Sequence, residues 1–146
     1  MNSRRQGIMA ILSEESPQAI ASAFATHADC PDYELVRAPE TGLVMVRGRM
    51  GGTGSAFNLG EVTVTRCVVR LDTGETGSSY ILGRHKQHAL QAAIFDALWQ
   101  SPAHHERIEK NVILPLEQAR KQKRDEIKAE TAATKVDFFT MVRGDD

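Results

Sequence analysis

A chain of 146 residues with 41% hydrophobic and 25% charged residues has the size and make-up of one ordinary globular domain, which excludes fibrous, collagen-like and wholly disordered classes. With 18 Lys and Arg against 19 Asp and Glu, the formal net charge of -1 gives no global field for nucleic acid or an anionic membrane, so neither partner is expected and any anion site must be local. Cys30 and Cys67 lie far apart without CxxC spacing, which excludes a disulfide framework or a thiolate metal set and leaves them as small buried or half-buried hydrophobes.

The opening MNSRRQGIMAILSEE has an apolar stretch too short, and too soon followed by acids, for a secretory signal. No segment approaches the length that spans a bilayer, so a cytoplasmic protein is the expectation. Over residues 6–27, Ile8, Ile11 and Leu12, then Ile20, Ala23 and Phe24, recur at helical spacing. Ser16 and Pro17 divide them, since a serine hydroxyl caps free N–H groups and proline suits the first helical position; two short helices follow. Cys30-Pro31-Asp32 closes this region.

Between residues 33 and 83 the period changes to short β-rich runs: YELVRA, GLVMVRGR, LGEVTVTRCVVRL and TGSSYILG. They predict four strands, the last two joined by a hairpin at Asp72-Thr73-Gly74-Glu75, in an antiparallel meander because the links are too short for crossover helices. Alternation puts Leu43, Met45, Arg47 and Arg49 on one face, and Val62, Val64, Arg66, Val68 and Arg70 on one face of the next strand. Coincident faces would gather several arginines at one end of the sheet; otherwise each arginine snorkels at an edge with its head in water.

After Gly83, RHKQHALQAAIFDALWQ is apolar on almost every side, so this helix is expected to be buried across one face of the sheet. Residues 103–135 predict a longer helical stretch, broken or kinked at Pro115. Ile108, Val112, Leu116 and Ala119 make its apolar stripe, and the mixed charges of residues 120–128 its solvated face. Residues 136–142, VDFFTMV, place an apolar run where chains usually fray; Phe138, Phe139, Met141 and Val142 are expected to dock on a partner.

Two basic segments carry the chemistry. In RGRMGGTG, Arg47 and Arg49 precede Gly51, Gly52, Thr53 and Gly54: guanidinium groups grip phosphate or phosphonate oxygens, and glycines let a backbone approach a ligand closely. A plain turn between two strands is the competing account. In GRHKQHA, Arg84, Lys86 and His88 stand where the positive end of a helix attracts an anion. His85 and His88 are three apart but lack a third ligand, so no metal is expected, and helix-start histidines are more simply surface or anion-facing groups. Walker A, GxSxG and Rossmann patterns are missing, and no catalytic residue can be named.

Together ETGLVMVRGRMGGTGSAFNLGEVTVTRCVVRL, GRHKQHA and the terminal VDFFTMVRGD resemble the PhnG family, the G subunit of the bacterial carbon-phosphorus lyase core complex, over residues 33–146. The resemblance implies a part in organophosphonate breakdown under phosphate starvation, at a step where a phosphonate displaces adenine from ATP to give a ribose 1-phosphonate 5-triphosphate. It implies other subunits as partners, a nucleosidase-like one and a radical S-adenosylmethionine one among them. ATP is then a substrate of the complex, and this chain binds no cofactor of its own. Arg47, Arg49, Gly51, Gly52, Thr53 and Gly54 match the family's glycine-rich segment, and Gly83, Arg84, Lys86, His88 and Ala89 its GRxKxHA segment, as substrate-binding or interface candidates.

The expected architecture is a single α+β domain: N-terminal helices, a mostly antiparallel sheet of about four strands, a buried helix and a C-terminal helical arm. Its function is expected to be that of a subunit of a phosphonate-ATP ribosyl-transfer complex, against an isolated phosphate- or nucleotide-binding module or a purely structural adaptor.

Overall fold

The computed structural model describes the backbone of residues 2–27, 29, 31–49 and 56–144, and the side chains of residues 3–27, 29, 31–47 and 60–132. Chain order is α1 (Asn2–Glu14), α2 (Pro17–His27), β1 (Tyr33–Arg49), β2 (Ala56–Leu71), β3 (Thr76–Leu82), α3 (Lys86–Gln100), a short α4 (His105–Ile108), a π-helical turn (Glu109–Ile113) and α5 (Leu114–Gly144). The α+β class is as expected. The break at Ser16-Pro17 is real: Ser16 Oγ accepts a hydrogen bond from the Ala19 amide at 3.1 Å, and Pro17 opens α2.

Three antiparallel strands, in the order β1-β2-β3, replace the four expected. YELVRA and GLVMVRGR form one strand, β1, whose partners step from Leu35↔Val69 to Arg37↔Val68 to Glu40↔Arg66. Each step gives β1 one residue more than β2. The APET stretch is therefore a pair of bulges rather than a turn, and because β1 is an edge strand, Pro39 can lack an N–H without breaking the ladder. The β2–β3 hairpin forms where expected, with Gly74 at φ +107 donating its amide to the Leu71 carbonyl at 2.9 Å.

Register also separates the arginines. Leu43 lies opposite Thr63 and Met45 opposite Glu61, but a register shift after Val46 sets Arg47 opposite Asn58, eight residues before Arg66 on β2. Arg47, Arg66 and Arg70, whose side chains are described, do not converge. Arg66 instead reaches Glu40 at 3.5 Å and Arg70 pairs with Glu34, cross-strand partners whose exposure limits each pair to about 0–1 kcal/mol.

The odd face of β2, with Cys67, Val69 and Leu71, meets α3, which is buried along almost its whole length. Burial pushes the Cys67 thiol up to about 11, so this cysteine is an inert core group. Ile8, Ile11, Leu12 and Ile20 close the core from the other side of α3, and Phe24 meets Phe95 edge to face at 5.6 Å. Ile108, Val112 and Ile113 complete it, while Ala119 is exposed.

Two arginines in the sequence's unremarked start tie α1 down. Arg4 bridges Glu109 at 2.6 Å and Glu117 at 2.7 Å, and Arg5 makes a two-point bond to the fully buried Asp96, at 3.2 and 2.9 Å. Pro115 neither ends the helix nor splits it. The π-helical turn directly before it loosens the i→i−4 ladder, which gives the proline ring room and leaves a continuous helical path.

Candidate functional site

The turn from Gly83 to Lys86 is clipped to the central strand by one hydroxyl. Thr65 Oγ1 donates to the Gly83 carbonyl at 2.6 Å, accepts from the His85 amide at 3.2 Å and lies 3.2 Å from Thr41 Oγ1 on β1. Gly83 sits at φ +96 and donates its own amide to the Thr63 carbonyl at 2.8 Å, which reverses the chain so that α3 starts beside the β1 bulges. Arg84 and Lys86, both exposed, then line an open groove of about 620 Å³ with Pro39, Glu40 and Thr41.

Electrostatically this groove is mixed. Glu40 is engaged by Arg37 at 3.2 Å and by Arg66, so its charge is already shared between two guanidinium groups. Among the described residues neither Arg84 nor Lys86 has a carboxylate partner, which leaves both to meet an outside anion. Behind them α3 begins without an acidic residue in its first turn and without a side-chain cap from His85, so the positive end of the helix adds to theirs.

His88 lies elsewhere. It is 3% exposed and its Nε2 sits 2.7 Å from the Leu12 carbonyl oxygen. A carbonyl can only accept, so Nε2 carries a proton, while Nδ1 is buried and without a hydrogen-bond partner among the described residues. This corrects the expectation of a surface or anion-facing histidine: the ring anchors α3 to the end of α1. His88 and the exposed His85, with ring centroids 6.4 Å apart, line a second groove of about 470 Å³, separate from that of Arg84 and Lys86.

Of the first basic segment only Arg47 has a described side chain, and it stands apart from Arg84 and Lys86. Arg47, exposed and paired with Asn58, is six residues beyond Thr41, or about 20 Å at the rise of an extended strand. Arg49 is described in backbone only, opposite Ala56. Gly51, Gly52, Thr53 and Gly54 lie outside the described residues. Phe138, Phe139, Met141 and Val142 fall within the helical backbone of α5, their side chains outside the described ones.

Thr65, Thr41 and Glu40 escaped the sequence reading as parts of this site. Only alternation with Cys67 and Val69 marked Thr65 as inward-facing, and that pattern does not say what its hydroxyl holds. Among the described residues no group of three His, Cys, Asp or Glu is placed to hold a metal.

A family model described as "Phosphonate metabolism protein PhnG" matches residues 3–144. The chain is also 51% identical, over 144 residues, to a Rhizobium meliloti (strain 1021) protein named alpha-D-ribose 1-methylphosphonate 5-triphosphate synthase subunit PhnG; the match covers 98% of this chain and 90% of that one. With a match that runs from α1 to the end of α5 and takes in both basic segments, the chain belongs to the PhnG family of phosphonate metabolism proteins.

Proposed function

We propose that the chain is a non-autonomous subunit of a complex that transfers a phosphonate onto C1 of the ribose of ATP, with displacement of adenine. The observation that carries this is 51% identity over nearly the whole chain to a subunit of a synthase named for such a product. A ribose bearing a 5-triphosphate and a 1-phosphonate differs from ATP only at C1, so the chemistry required is one exchange there: a phosphonate oxygen forms the new C1–O bond and the C1–N bond to adenine breaks.

Both the attacking phosphonate and the triphosphate are anions, and bringing them together demands fixed positive charge. Arg84 and Lys86, held by the Thr65 clip, supply such charge in an open groove that a second subunit can close. The companion subunits contribute the remainder of the site, and the assembly works in the cytoplasm, where ATP is available. No helix among the described residues is long and apolar enough to cross a membrane.

Reconstitution tests the proposal: companion subunits are mixed with ATP and methylphosphonate, with and without this chain, and free adenine is measured. Adenine release should require the chain; equal release without it overturns the subunit reading. In the complete assembly, Arg84→Ala with Lys86→Ala should lower kcat/KM by roughly tenfold or more, the scale of losing one or two hydrogen bonds to a charged group. A purely structural adaptor would keep its turnover in that variant. The adaptor reading draws on Leu43 and Met45, exposed apolar residues of β1 beyond the last pairing of β2 with β3.

A further inference from the structure

β3 ends the sheet, and hydrogen-bond parity along it is fixed at several points. Gly83 donates inward to Thr63, so the odd-numbered residues turn their backbone groups toward β2. Even-numbered residues turn outward: the Ser78 amide donates to Asp96 Oδ2 at 2.9 Å, and the Thr76 carbonyl accepts from Gln100 Nε2 at 2.8 Å. At Tyr80 and Leu82 the outward N–H and C=O groups meet no partner among the described residues. A bare edge of this kind is a template for strand addition.

The same edge forms one wall of the 470 Å³ groove whose other wall is the α1–α2 turn, Ser13 to Pro17. His88 lines it too. Tyr80 and Leu82 are 46% and 69% exposed, apolar side chains where an edge protected against pairing would carry lysine or proline. The backbone donors and acceptors of this edge select an extended strand, and a companion subunit is its source because the chain is 51% identical to a subunit of a synthase.

We propose that the free edge of β3 at Tyr80 and Leu82 is a strand-addition site that takes an extended segment of a partner subunit into the groove beneath the α1–α2 turn. The segment exchanges backbone hydrogen bonds with both residues. This inference rests on the chain's being a subunit of a complex.

Amide hydrogen exchange, measured on the isolated full chain and on the reconstituted complex, tests it. The Tyr80 and Leu82 amides should exchange freely in the isolated chain and slow by roughly 100-fold or more in the complex. Unchanged rates overturn the proposal. Slowing already present in the isolated chain and growing with its concentration, with a dimer in sedimentation, would make a second copy the occupant and overturns it as well.

Tyr80→Pro removes one outward donor without touching the β2 ladder, and should weaken retention in the complex roughly fivefold or more at an unchanged unfolding midpoint. Full retention of a folded Tyr80→Pro chain counts against the site, and if that variant does not fold, exchange on the unmodified chain decides. A photo-crosslinker at Leu82 should capture one segment that is extended in its own subunit; capture of a helix overturns the strand geometry. A complex that assembles and turns over with both amides unprotected sinks this inference alone, whereas a chain that assembles with no companion sinks the subunit reading with it.

Discussion

Gly77 is the tightest point between sheet and helix: a Cβ there would lie 2.0 Å from the Ala93 carbonyl oxygen and 2.8 Å from Ala97 Cβ. Gly77→Ala should therefore cost about 3 kcal/mol or more, read as a lowered urea midpoint, while Gly42→Ala, with nothing within 4 Å, should stay within about 0.5 kcal/mol of the parent. In the Arg5–Asp96 pair the carboxylate is fully buried and the guanidinium partly exposed, so its two halves are not equivalent. Arg5→Ala strands a buried charge and should cost about 3 kcal/mol; adding Asp96→Asn should recover part of that loss, because the neutral amide can still accept from Ser78. Glu109 supplies a pH dependence. Burial pushes its carboxyl up, but hydrogen bonds from Arg4 and Trp99 outweigh that and hold it below its ordinary value of 4.5. A group depressed in the folded state stabilises above its unfolded value and loses that contribution as pH falls, so stability should decline below about pH 4.5, less steeply in Glu109→Gln than in the parent. Neither of these arginine–carboxylate pairings was visible in the sequence, since Arg5 lies 91 residues from Asp96 and Arg4 lies 105 from Glu109.

At the scale of elements, the sequence located the helical and strand-rich regions but misjudged the joint within β1 and the end of α5, which runs past residue 135 to Gly144. APET looked like a turn because Pro, Glu and Thr punctuate strands; only the partner strand showed that the ladder continues past them through two bulges. Pro115 was expected to break or kink the helix because proline removes an α-helical hydrogen bond; it does not break it, and a π-helical turn lies just ahead of it. Thr65 joins three elements through one hydroxyl, which places the basic start of α3. Thr65→Val keeps the shape and removes the donor to the Gly83 carbonyl. It should cost about 1–3 kcal/mol in thermal or chemical unfolding, and in the assembled enzyme it should lower turnover by loosening Arg84 and Lys86; unchanged turnover at reduced stability would confine the clip to a structural role.

For the whole molecule, α5 runs 31 residues to Gly144 and carries the VDFFTMV run at its far end. Removal of residues 136–146 should leave the unfolding midpoint of the isolated chain within about 0.5 kcal/mol of the parent and lower its retention in the complex, measured by co-purification; collapse of the fold would assign the run to the core. The sequence by itself determined the class of fold, because helical and strand periodicity are local properties that burial only ratifies. It also determined the family, because RGRMGGTG, GRHKQHA and VDFFTMVRG are strings that a comparison can match without knowing where they meet. Tertiary structure alone decided their arrangement. Register put Arg47 opposite Asn58, eight residues along β2 from Arg66, strand length carried it away from Arg84, and the packing of α1 on α3 turned His88 inward to Leu12. Those outcomes depend on contacts between residues tens of positions apart, whose geometry no local pattern encodes.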